Sequence, residues 1–582
     1  MTPEFINQRL NELRESLAKV DALPQLSLIA ILIGVVVGFI IVLFRIALSS
    51  PPLFWGISSA ESFEELSPAM RATLLSISTV VIAGALGLLQ KNDRQMSVSH
   101  VIDRLHNHQG RMPGRNYLAQ FFLGIVAIVC GHSVGREGPT VHLGAGAASK
   151  LGSWLRLPNN SMQILIACGV AAGIAASFDT PLAGVIFAME VIVMEYSIVG
   201  FVPVILASVI GAAICKGILG QAVVFEVGHA DMNTLIELLF IVVIGLAIGL
   251  LAGVYVRIHL LTLALAKFSI VFKLALAGVL TIAVAAWVPE VMGLGYDTIR
   301  GAFTAEIALS ALLVAGLAKL ALTPIVVALG IPGGLIGPSL FVGACLGAVF
   351  GGLIDKLFPG LEINASLYIL LGMVGMMGAV INAPLAALIA VLELSHNPQV
   401  IFPAMLMIVV ACMTTRQVFQ VRGLFMEQLR RSGRDIELGP ASRALSRIGV
   451  MSAMNRKFLI CDQGISHADA LYVLSTQPDW LVFSQNEQLT ALWAADLAHF
   501  LEHPQEEHTE IDLGEVPGRR YMMHGVPQTA SLYDALKTLK KSQCTVLYVT
   551  GSQHSHRSVF GILTLDAIQN HYQPKEFDRA LV

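Results

Sequence analysis

The chain has 582 residues, 55% of them hydrophobic and 13% charged, and its mean hydropathy is +0.71. Soluble domains carry about twice that charged share, so most of this chain meets lipid rather than water. A net charge of −3 gives no basic footprint, which excludes DNA and RNA as partners.

Residues 1–25 mix both charge signs without an apolar core. They read as a cytosolic helix leading into the membrane rather than a secretory signal. Leu26 to Phe44 contains no charged residue, and about 20 such residues cross a bilayer. Uncharged stretches recur at Ile198 to Cys215, Leu238 to Val256, Leu274 to Val288 and Ile401 to Thr415, predicting a bundle of many helices. The loop from Ser49 to Ser67 is acidic, whereas Lys91 to Arg115 carries Lys91, Arg94, Arg104, Arg111 and Arg115. The basic loop belongs on the cytoplasmic side, with both chain termini, and a bacterial inner membrane is the expected setting. The seven cysteines are scattered and never spaced as CxxC; they read as reduced packing residues.

Two apolar segments are broken. Leu320 to Ile354 is uncharged but cut by Gly330-Ile331-Pro332-Gly333-Gly334, and Pro139 to Ala148 is only a few turns long. Irregular backbone survives at membrane depth where it is buried in protein or lines a wet cavity. An internal repeat accompanies the breaks. Gly169 to Val191 aligns without gaps on Gly372 to Leu394, matching Gly169/Gly372, Pro181/Pro384, Leu182/Leu385, Ala183/Ala386 and Glu190/Glu393; Gly138-Pro139 pairs with Gly337-Pro338 at nearly the same offset. Repeated halves with broken helices in matching places predict a transporter, with the substrate between the halves near mid-membrane. The expected fold is an all-α polytopic membrane protein with an inverted repeat. After Arg434 charged and polar residues return, and Met451 to Glu502 and Val516 to Tyr572 each read as a small soluble α/β unit.

The sharpest motif is Gly135-Arg136-Glu137-Gly138-Pro139-Thr140. Proline suits a first helical turn, the glycines leave N–H groups bare, and such a helix start binds anions. Glu137 fits that place as a tethered anion, a gate that leaves when chloride enters or when it is protonated. The alternative is an Arg136 to Glu137 ion pair that only pins the loop, although charges inside a membrane are usually functional. Gly333-Gly334-Leu335-Ile336-Gly337-Pro338 is the uncharged counterpart, and two helix starts could aim their positive ends at one ion.

GREGPTVHLGAG, FDTPLAGVIFAMEV and the GGLIGP segment resemble the signature stretches of the CLC family of chloride channels and chloride/proton exchangers. The tail resembles a pair of cystathionine-β-synthase-type (CBS) domains. The resemblance implies a transmembrane anion-transport domain over 26–432, a linker over 433–450, and CBS-like domains over 451–510 and 516–575. It also implies a homodimer in the lipid bilayer, each subunit with its own chloride pathway. Glu137 would be the gate, beside Arg136, and amides near Gly138, Leu335 and Ile336 would coordinate the anion. The family's central serine falls on Met96 or Ser97. Its central tyrosine falls on Phe425, which has no hydroxyl, and its inner proton-transfer glutamate falls on Val191. Glu190 or Glu195 could substitute for that acid, but Glu190 reads equally as structural because Glu393 is its repeat mate. A missing acid and a missing hydroxyl point to channel-like conduction, with exchange by an unusual proton route as the alternative.

No cofactor is expected beyond a nucleotide in the tail, where Thr564 has Asp566 two residues on rather than three. His499, His503 and His508 read as solvated surface rather than a metal site. Gly131-His132-Ser133-Val134-Gly135 fits the GxSxG of serine hydrolases, so an intramembrane protease is the remote enzyme alternative; the motif needs a strand-turn-helix elbow that this apolar segment does not supply. A membrane-anchored ligand sensor is a third reading, but two repeated halves are more membrane than an anchor needs.

Overall fold

The computed structural model describes residues 12–18, 22–50, 61–220, 230–361, 363–434, 436, 440–485, 488–502, 510–551 and 559–571. Part of the amino-terminal segment, residues 51–60 of the acidic loop, and His503 and His508 lie outside the described residues. The chain divides into two compact units, one of residues 26–153 and 163–436, the other of residues 1–25, 154–162 and 437–582.

The first unit is helical. Its first half contains α1 (Leu23–Ser49), α2 (Pro68–Leu88), α3 (Val98–Asn107), α4 (Gly114–Val129), α5 (Glu137–Trp154), α6 (Asn159–Phe178), α7 (Pro181–Phe187) and α8 (Ile198–Leu219). Its second half contains α9 (Glu237–Thr262), α10 (Ile270–Trp287), α11 (Tyr296–Phe303), α12 (Leu309–Leu329), α13 (Ile336–Leu357), α14 (Ala365–Ile381), α15 (Pro384–Ser395), α16 (Ile401–Phe419) and α17 (Leu424–Arg431). Nine helices among the described residues are long and apolar enough to cross a membrane, and α4, α7, α14 and α15 are shorter apolar helices. Serine starts several of them: Ser67, Ser197 and Ser269 each accept a backbone N–H from the first turn that follows. Gly330 stops α12 in the left-handed conformation at φ 111°, which glycine adopts without strain.

The repeat seen in the sequence governs the packing. A Cβ on Gly144 of α5 would run into the Gly169 carbonyl of α6, and one on Gly343 of α13 would run into the Gly372 carbonyl of α14. Both halves therefore use a glycine crossing, where small residues let helix backbones touch. The halves also hold each other. The Glu190 carboxylate accepts from the N–H groups of Leu385 (3.2 Å) and Ala386 (2.7 Å) at the start of α15. The Glu393 carboxylate accepts from Leu182 (2.8 Å) and Ala183 (2.7 Å) at the start of α7. Each carboxylate sits at the end of one helix and the beginning of the other, so the two helices run antiparallel. An exchange between matched positions is a two-fold relation, and the repeats are inverted.

The second unit carries β1 (Phe458–Ile460) to β8 (Val559–Thr564), with six strands in one sheet of order β1-β3-β4-β6-β7-β8. β1 pairs β3 (Trp480–Gln485) in parallel and β3 pairs β4 (Gln488–Trp493) antiparallel. β6 (Tyr521–Pro527) repeats that pattern with β7 (Val546–Thr550) and β8. Two α/β units of the same design thus join edge to edge through β4 and β6, the arrangement expected of a CBS-like pair. A capping box at Ser531 and Asp534 starts the helix between β6 and β7.

Candidate functional site

Two helix starts meet at the centre of the first unit. Gly135 and Gly334 exchange both backbone hydrogen bonds, at 2.8 and 2.7 Å, which sets the beginnings of α5 and α13 side by side. Any side chain on Gly138 would strike the Gly333 carbonyl, so the two broken segments touch backbone to backbone.

Glu137 fills the space between them. It is 3% exposed, and neither carboxylate oxygen has a partner of good hydrogen-bond geometry among the described residues. A Cβ on Gly337 would lie 2.5 Å from its Oε1, and one on Gly334 2.7 Å from its Oε2. The carboxylate therefore lies against the amino-terminal end of α13, where bare N–H groups and the helix dipole favour negative charge. The space it occupies has the size and polarity for a small anion. Leu335 and Ile336 open α13 at this point.

Arg136 turns away. Its guanidinium lies 4.4 Å above the Phe178 ring and 5.2 Å from the Tyr296 ring, and no ion pair joins it to Glu137 among the described residues. It lines a cavity of about 310 Å³ with Arg45, Glu61, Phe63, Ile128 and Leu294, a vestibule on the side of the acidic loop. The pinning ion pair considered from the sequence is absent, because stacking on Phe178 takes the guanidinium elsewhere. Lys319 is completely buried beside this region, donating to the carbonyls of Gly293 (3.1 Å) and Leu294 (3.2 Å).

Ser97 is the N-cap of α3 and is held at φ 92°, ψ 175°, a region populated almost only by glycine; Met96 precedes it. Phe425 is buried in the first turn of α17, and α17 packs on α3. The sequence reading missed Tyr255, which is fully buried on α9 and donates from its hydroxyl to the Leu335 carbonyl at 3.3 Å. No local spacing links residues 80 positions apart; the one available signal was a lone tyrosine in a largely apolar helix.

Of the three residues considered for proton transfer, Glu190 takes the structural position that the sequence also allowed. Both of its oxygens accept from the first turn of α15, which makes it a cap of that helix. Val191 is buried in the π-helical turn Ala188–Val193, and Glu195 lies just past that turn. An apolar crevice of about 50 Å³ leaves Glu137 between α7 and α15, lined by Ile174, Phe187, Met377, Ala390 and Leu394. Ser133 shares a 2.8 Å hydrogen bond with Thr323, and His132 turns to Ser78 instead. The GxSxG segment thus lacks the base a hydrolase would need.

The family model described as voltage gated chloride channel matches residues 77–416, more than half of the chain. The chain belongs to the CLC family. It is 30% identical over 345 residues to a ClcB-like chloride channel protein of Ralstonia nicotianae, covering 57% of this chain and 79% of that one. It is 27% identical over 317 residues to the H(+)/Cl(−) exchange transporter ClcA of Vibrio parahaemolyticus, covering 52% of this chain and 66% of that one. Two crystal structures share the CLC fold. A slow cyanobacterial Cl−/H+ antiporter matches at TM-score 0.62 and 22% identity, over 70% of this chain and 97% of its own. A eukaryotic CLC transporter matches at TM-score 0.58 and 18% identity, over 94% of this chain and 99% of its own. This CLC protein is accordingly an integral, multi-pass membrane protein that transports anions.

In the second unit a cavity of about 580 Å³ is bordered by Trp480, Trp493, Tyr521, Arg519 and Asp566. Trp480 lies 4.2 Å from Trp493, ring centre to ring centre, and Arg519 5.2 Å from the Tyr521 ring. Thr564 caps its own helix by accepting from Ala567 N–H at 3.1 Å.

Proposed function

We propose that this protein passes chloride across a bacterial inner membrane through a pathway in each subunit of a homodimer, that the Glu137 carboxylate closes each pathway, and that the ion moves by channel-like conduction. One observation carries the reading: a buried carboxylate lies against the start of α13 where two helix starts converge. A carboxylate held there stands in for the anion, so chloride must displace it, and a proton on Glu137 would release it. Gly138, Leu335 and Ile336 are the amides that would hold the ion in its place. Conduction is favoured because the usual inner acid is Val191 and the nearest carboxylate, Glu190, is engaged as a cap.

Proton-coupled exchange is the second reading. It is favoured by the relatives and fold neighbours described as H(+)/Cl(−) exchange transporter and Cl−/H+ antiporter. Purified protein in liposomes separates the two: a chloride gradient should drive little uphill proton movement in a channel and a constant ratio of protons in an exchanger. The aromatic cavity of the tail suits a planar base, and calorimetry of the full chain with ATP tests a nucleotide there.

A further inference from the structure

Two buried histidines face each other below the gate. His100 is in the first turn of α3 and His142 in the second turn of α5, with ring centres 5.4 Å apart at 31°. His100 is 3% exposed and His142 not at all. All four ring nitrogens lack a hydrogen-bond partner among the described residues. Gln120 on α4 is also fully buried, with both amide atoms unpartnered. α4 and α5 run antiparallel, because a Cβ on Gly124 would touch Pro139, one on Gly146 would strike Tyr117, and one on Gly114 would reach Lys150. That register sets Gln120 level with His142 and Leu143.

Elsewhere the fold gives its buried imidazoles a partner. His132 lies 3.0 Å from the Ser78 hydroxyl and His259 3.0 Å from the Pro324 carbonyl. A buried polar group with no partner bears its full desolvation cost, and ordered water is the usual remedy. Three such side chains at one level, two of them titratable, form a site for water and for protons.

We propose that His100, His142 and Gln120 form a hydrated proton relay between the Lys91–Arg115 side of the membrane and Glu137, in the role that Val191 cannot fill. The proposal rests on the reading of Glu137 as the gate. His142 lies five positions after Glu137 on one helix, about 7.5 Å of axial rise, a gap that water is to bridge in the relay. A proton enters His100 at its bare ring nitrogen while the proton on the opposite nitrogen leaves through water for His142. His142 repeats the exchange, and the Glu137 carboxylate becomes a neutral carboxyl. Each ring ends neutral, and release runs the same steps backwards.

Arg104, Arg434 and His108 are the charged or titratable groups whose fields reach His100, and His142 packs on His100. The acid on this helix, Asp103, is paired with Arg434 at 2.8 Å, so its carboxylate is not free to trap a proton on the pair. His108, 47% exposed and 3.8 Å from Asp103, stands at the entrance.

The test measures chloride and proton flux in liposomes while pH is stepped on each side separately. Subjects are the unmodified full chain, His100→Gln, His142→Gln, the double variant and Glu137→Gln. Each histidine variant should lose at least tenfold of the response of chloride flux to pH on the Lys91–Arg115 side, and the double variant should lose no more than either alone. A purely structural role would instead lower chloride flux equally at every pH and leave the pH response intact, which overturns the relay. If Glu137→Gln loses the response while the histidine variants keep it, the gate stands and the relay falls. If Glu137→Gln also keeps it, both readings fall together. Hydrogen–deuterium exchange at the histidine C2 positions of the unmodified protein, read by mass spectrometry, covers variants that fail to fold. Exchange at both residues is expected; protection of both over days would mean a dry pair and overturn the proposal.

Discussion

Glu190, in the π-helical turn that continues α7, holds the first turn of α15, and Glu393, near the end of α15, holds the first turn of α7. Each bond joins a charged acceptor to backbone donors and is worth about 1.5–3 kcal/mol. Glu190→Ala and Glu393→Ala should therefore lower the melting temperature in detergent by similar amounts. Glu190→Gln, which keeps an acceptor, should be milder and leave proton response as in the unmodified protein. A selective loss of proton movement in Glu190→Gln, at unchanged stability, would make Glu190 a carrier after all.

Replacing Glu137 with Gln removes the tethered charge and mimics the protonated gate. Chloride flux should rise and its dependence on pH should vanish, whereas in the unmodified protein flux should increase as pH falls and the carboxylate is neutralised. Liposome efflux between pH 4.5 and 7.5 (about the range from an ordinary carboxyl to neutrality) reads both effects. Unchanged flux and an unchanged pH profile would remove Glu137 from the gate.

Phe425 offers no hydroxyl where the family resemblance places a tyrosine. A hydrogen bond to an ion is worth about 1.5–3 kcal/mol, or roughly tenfold or more in affinity. Phe425→Tyr should tighten chloride binding by that factor in calorimetry; an unaltered affinity would mean that Phe425 does not line the site.

Tyr255 steadies the Leu335 carbonyl from α9. Tyr255→Phe keeps the ring and loses only the hydroxyl, a change of about 1 kcal/mol for a neutral bond. Chloride affinity should fall several-fold with little change in melting temperature. If stability falls and affinity does not, the hydroxyl serves packing alone.

Val191→Glu places an acid in the π-helical turn without touching the Glu137 gate. Chloride flux should not fall below that of the unmodified protein, and stability should drop because a carboxyl enters a buried position. Robust uphill proton movement by the unmodified protein, at a fixed ratio across chloride gradients, would identify an exchanger that does without an acid at 191.

The architecture was legible wherever residues repeat or break a pattern. Gly138-Pro139 and Gly337-Pro338 announced two helix starts, and the match of Glu190 with Glu393 announced the two-fold relation that their carboxylates make. Composition marked the change to an α/β tail after Arg434. What stayed hidden depends on contacts between distant positions. Tyr255 reaches Leu335 across 80 residues, and His100 meets His142 across two intervening helix turns and a whole helix, with no spacing to betray either pair. The stacking of the Arg136 guanidinium on Phe178 was likewise hidden, because it joins positions 42 apart on different helices.

Gly135 and Gly334 are repeat equivalents, and they bond to each other. In a two-fold pair of separate chains, a residue on the axis meets its own copy. The bridge is therefore the contact that two half-length chains would make on assembling with themselves, preserved within one polypeptide. Covalent linkage frees the two copies to differ, which is how one helix start can carry a charged side chain at Glu137 while its counterpart, Ile336, stays neutral.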